Sequence, residues 1–82
     1  MDSYDRMIKD TTEQAELFIN MNSGLYLEMK AWAMKEVLPE RKAPIIENLA
    51  KVYARRNEDS FGSLFIAELD AVDWNEIVRR VF

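Results

Sequence analysis

Cysteine and histidine are both missing from this 82-residue sequence, and each absence removes a class of chemistry. Without cysteine there is no disulfide and no thiolate metal site. Small secreted domains usually carry disulfides because their cores are thin, so a reducing compartment, the cytoplasm, is expected. Without histidine the commonest general base, proton shuttle and zinc ligand is lost. Ser3, Ser23, Ser60 and Ser63 therefore have no imidazole to activate them, and no serine–lysine spacing stands out. The two glycines, Gly24 and Gly62, are too far apart to form a phosphate loop. The longest apolar runs, such as Leu64-Phe65-Ile66-Ala67, fall well short of the roughly 18–20 residues of a membrane span. Met1-Asp2-Ser3-Tyr4-Asp5 is acidic and polar, unlike a signal peptide. Neither an enzyme nor a cofactor is expected.

What is present is globular. Apolar residues make up 49% of the chain and charged residues 32%. The length suits a single helical domain over residues 1–82. A chain of this size buries only about 60–65% of its unfolded surface and gains about 4–12 kcal/mol on folding. A partner or a second copy then adds usefully to the core. Apolar residues recur at intervals of three and four and nowhere alternate as in a half-buried strand. The expected fold is all-α, a compact bundle of four to five helices.

The first helix is expected from about Ser3 to Met21, before Asn22 and Gly24. Ile8, Ala15, Phe18 and Ile19 lie on its inner face, with Leu17 and Met21 broadening it. Thr11-Thr12-Glu13-Gln14 fits a capping box, which would make residues 3–10 a separate turn. The second helix is expected from Ser23 as N-cap to Leu38, where Pro39 stops it. Leu27, Ala31, Met34 and Leu38 form one stripe. Leu25, Met29 and Trp32 form a second, and Tyr26, Ala33 and Val37 a third. A helix apolar nearly all round is normally central, so residues 25–38 are expected at the middle of the bundle, with Trp32 in the core. Pro44 suits the first turn of a third helix over residues 43–57. Ser60 would cap a fourth over 61–69, with Phe61, Leu64, Phe65 and Leu69 inward. Asp73-Trp74-Asn75-Glu76 has capping-box spacing and opens a fifth helix, with Trp74 in the core.

Charge is the most informative functional feature. The net charge is −4, which disfavours direct binding to nucleic acid or an anionic membrane. Residues 41–56 carry Arg41, Lys42, Lys51, Arg55 and Arg56 against Glu47 alone. Residues 57–78 carry Glu58, Asp59, Glu68, Asp70, Asp73 and Glu76 and no base. The plain reading is a set of solvated faces whose charges partly pair. The functional reading is a bipolar surface whose six acids dock on a basic groove of a protein partner. The spacing matches no calcium loop, and no metal site is expected. Met7 and Met21, at the rim of the first helix, suit an adaptable contact surface.

Val72-Asp73-Trp74-Asn75-Glu76-Ile77, after the short segment beginning at Phe61-Gly62-Ser63, resembles the V-[DN]-W-x-E-I element that ends many small phage- and plasmid-encoded proteins. Some small acidic phage proteins are anti-CRISPR or antirestriction inhibitors. The resemblance covers under a quarter of the chain. It implies a protein inhibitor from a mobile element, acting in a bacterial cytoplasm on a partner with a nucleic-acid-binding groove, and it transfers no binding residues. The alternative is a structural or adaptor module, with homodimerisation a natural way to complete the burial of its apolar residues.

Overall fold

The computed structural model describes residues 3–82, of which 78% are helical. Helix α1 spans Ser3–Met21, α2 Ser23–Ala33, α3 Pro39–Arg56 and α4 Trp74–Val81. Between α3 and α4 the chain forms a small antiparallel hairpin, β1 (Ser60–Phe61) and β2 (Leu64–Phe65), and a 3-10 helix over Ile66–Ala71. The fold is thus mostly helical, with a minor sheet. Among the described residues no helix is long and apolar enough to cross a membrane.

The core lies between α1, α3 and α4. Its main packing is α3 against α4, where Ala43, Ile46, Ala50 and Ala54 face Trp74, Ile77 and Val78. Three alanines among those α3 positions let the helix axes approach closely, and the large residues on α4 fill the space. Ala15 and Ile19 close the core from α1, and Leu25, Met29 and Ala33 from α2. The hairpin contributes Phe61 and Leu64, and the segment that follows it contributes Leu69 and Val72. Phe18, Tyr53 and Phe61 form a triangle of edge-to-face rings with centroids 4.7–5.9 Å apart.

Helix α1 is continuous, and Thr11-Thr12-Glu13-Gln14 is not its cap. The buried Thr12 hydroxyl instead accepts the Asp73 N–H at 2.9 Å, tying the start of α4 to the middle of α1. Asn22, not Ser23, caps α2. Its Oδ1 accepts the Leu25 N–H at 3.1 Å while its Nδ2 donates to the Tyr53 hydroxyl at 3.0 Å. Met34 is the C-cap of α2, and the turn tightens through bonds from Lys35 N–H to Trp32 C=O and from Glu36 N–H to Ala33 C=O. Leu38 is extended, as the residue before a proline must be, and Pro39 itself opens α3. Pro44 therefore lies a turn deeper than expected, removing one hydrogen bond on an exposed face.

Of the expected fourth helix only the second half is helical, as the 3-10 turn over Ile66–Ala71; the first half is the hairpin. Gly62 has φ +64°, and with Ser63 makes the two-residue loop between Phe61 and Leu64. A positive φ at the first loop residue matches the twist of a tight hairpin. Ser60 does not cap a helix; its hydroxyl donates to the Gly62 carbonyl at 3.0 Å. Phe65 is exposed rather than inward.

The largest correction concerns residues 25–38. Helix α2 lies at the edge of the fold and buries one face only. Leu27, Trp32, Met34, Val37 and Leu38 are 41–86% exposed. Trp32 is not in the core: its ring lies under the Lys35 ammonium, 4.4 Å from the centroid. Trp74 is buried as expected, and its indole N–H donates to the Leu69 carbonyl at 3.0 Å.

Candidate functional site

The six acids expected to dock on a partner are divided among separate places. Glu58 and Asp59 follow α3 in the left-handed region, with φ of 58° and 61°. They reverse the chain so that the Asp59 carbonyl can accept the Ile66 N–H at 2.7 Å beside the hairpin. Glu68 caps the 3-10 helix: its carboxylate accepts the Phe65 N–H at 2.7 Å. Asp70 reaches the Lys51 ammonium at 2.8 Å, which also meets Glu47 at 2.8 Å. Asp70 first, and then Glu47, hold the Lys51 ammonium above its ordinary range.

Asp73 is the N-cap of α4, with Oδ1 accepting the Glu76 N–H at 3.1 Å. An aspartate at that place also favours the positive end of the helix. Glu76 pairs with Arg79 and, at 2.8 Å, with Arg80; Arg80 reaches on to Glu16 of α1 at 3.2 Å. Four of the six acids thus stabilise this chain locally. The bases that Asp70 and Glu76 lacked in sequence come from α3 and from the last turn of α4. Glu68 and Asp73 accept backbone N–H groups and make no ion pair among the described residues. Glu58 and Asp59 also make none there, and both are exposed. Among the described residues no three carboxylates converge closely enough to share a cation.

The V-D-W-x-E-I element has the same structural explanation throughout. Asp73 caps, Trp74 and Ile77 fill the core, and Glu76 anchors two arginines.

Apolar surface is the feature that sequence reasoning misplaced. One patch is a shallow groove lined by Gln14, Leu17, Phe18, Met21, Gly62 and Ser63. Met21 is 76% exposed there, and Met7 is exposed further up α1, as expected of an adaptable rim. The other patch is larger. On α2, Leu27 and Ala31 face water with Met34 at the C-cap, and Leu38 and Val37 continue it toward α3. Leu27 and Ala31 on α2 and Met34 at its C-cap keep the four-three spacing of a seam along one helix face. Glu28 lies on one flank of that seam and Lys30 on the other, and Lys35 follows in the turn after the C-cap. No protein-family model, curated protein or solved structure matches this chain, so the reading of its surface rests on these geometries.

Proposed function

We propose that this chain is a non-enzymatic protein-interaction module, structural or adaptor in kind, working in a bacterial cytoplasm through the outer face of α2 and the turn after it. The observation that carries the reading is the exposure of five large apolar side chains within residues 27–38. Large apolar side chains exposed this densely in one short segment differ from the singly scattered ones of an ordinary surface. The lack of histidine and cysteine supports a binding role, and the acids are largely used in the fold.

An apolar reporter dye tests the site. Leu27→Glu with Met34→Glu should lower dye binding to the folded protein at least tenfold. The melting temperature should move by only a few degrees, because exposed positions contribute within about 0.5 kcal/mol each. Dye binding that survives those changes, or that vanishes on Met21→Glu instead, contradicts the assignment.

A second reading keeps an electrostatic inhibitor from a mobile element, docking on the basic groove of a host defence complex. It is supported by the exposed, unpaired Glu58 and Asp59 and by the resemblance of the C-terminal element. Such docking weakens steeply with salt, whereas apolar association does not. Partner affinity that is flat between low and physiological salt excludes it.

A further inference from the structure

We infer that the outer face of α2 is covered by a second copy of this chain, packed antiparallel about a two-fold axis near the middle of the seam. The inference rests on the interaction-module reading and names its partner. Two features of the surface point to self-pairing.

The first is charge. Glu28 lies on α2 and Lys35 in the turn just past its C-cap. The Lys35 ammonium sits over Trp32, the residue four after Glu28 and so on the same side of the helix. The two charges are too far apart along the axis to pair with each other. Among the described residues Glu28 makes no ion pair, and Lys35 makes none beyond its contact with the Trp32 ring. In an antiparallel helix pair a flank meets its own copy running the other way. Glu28 then faces Lys35 of the partner subunit, and Lys35 faces Glu28 of the partner subunit. The flank is therefore complementary to itself, which is the requirement of a two-fold interface. A parallel pairing would set like charges side by side.

The second is exposure. Leu27, Met34, Val37 and Leu38 stay open within one short segment, and packing against the same segment of a second copy removes all of them from water at once. The seam also runs small at Ala31, between Leu27 and Met34, so two helices can approach there while the larger residues interdigitate on either side. Helix α2 is short, but it is held on its buried side by Leu25, Met29 and Ala33 and by the stacking of Tyr26 on Phe82. It is thus ordered before it meets the second copy, which lowers the entropic cost of association.

The experiment is sedimentation equilibrium on the purified full chain and three variants: Glu28→Lys, Lys35→Glu and the two together. The parent should dimerise in the micromolar range. Each single change sets two like-charged pairs across the axis and should weaken the dimer about tenfold, and the double change should restore it. Leu27→Glu with Met34→Glu should leave a monomer. A parent that stays monomeric at every concentration overturns the inference, while dye binding at residues 27–38 would still support the module reading. A dimer unmoved by the charge changes, or weakened further by the double change, also overturns it.

Discussion

Trp74→Ala should unfold the domain or bring it to the edge of unfolding. The side chain is 5% exposed between α3 and α4, at the largest helix contact in the fold. Removing a buried indole costs about 3–5 kcal/mol through lost transfer free energy and the cavity left behind. The Leu69 carbonyl also loses its donor, which adds about 1 kcal/mol. Against a total stability of about 4–12 kcal/mol, little is left. Trp74→Phe keeps most of the volume and should retain the fold with a lowered melting temperature. Trp32→Ala should cost within about 1 kcal/mol, because a half-exposed ring leaves no cavity. Urea titrations of the three variants measure the difference. If Trp32→Ala proves as damaging as Trp74→Ala, α2 is buried on both sides and its outer face is no surface at all.

Gly62→Ala should be the most damaging change outside the helices. At φ +64° an L-residue is strained by roughly 1–2 kcal/mol. An added Cβ would also stand 2.7 Å from Cδ1 of Phe18. That ring cannot retreat freely, since Tyr53 and Phe61 both pack on it edge to face. The expected loss is about 2–4 kcal/mol, from strain together with overpacking. Gly24→Ala is the natural contrast: the nearest atom to its added Cβ is 3.7 Å away, and the residue sits in the first turn of α2. It should be neutral or gain up to about 1 kcal/mol. Thermal melts of both variants decide the point. Equal effects would show that Gly62 is not held against Phe18.

Much of the fold was legible in the sequence, because local signals and tertiary needs agree there. Asn22 ends α1, and Asp73 with Glu76 opens α4. The second helix, expected to run to Leu38, ends at Ala33, and Pro39 opens α3 instead of stopping α2. The hairpin was missed although Gly62-Ser63 between Phe61 and Leu64 is a recognised two-residue turn signal. The helical spacing of Phe61, Leu64, Phe65 and Leu69 competed with it and was preferred. In the structure β-turn chemistry prevails over that spacing, since Gly62 takes a positive φ.

The acids read differently in three dimensions. A run of 22 residues without a base looks unpaired in one dimension, but Lys51 reaches Asp70 from α3 and Arg80 spans Glu76 and Glu16. Pairing across the fold is invisible to local counting. Residues 25–38 show the same limit from the apolar side. Periodicity identifies Leu27, Ala31, Met34 and Leu38 as a stripe that favours burial. It does not say whether the covering surface belongs to the same chain.

Methionine methyl NMR tests the central claim most directly, because Met7, Met21, Met29 and Met34 sample every surface in question. Met34 lies on the outer face of α2, Met21 beside the hairpin groove, Met7 further along α1, and Met29 in the core. Spectra are recorded as the protein is concentrated from the low micromolar range toward millimolar. The account predicts that the Met34 methyl resonance shifts or broadens with concentration, while those of Met7, Met21 and Met29 stay in place. A shift at Met21 with Met34 unmoved, or no shift at any methionine, would contradict it.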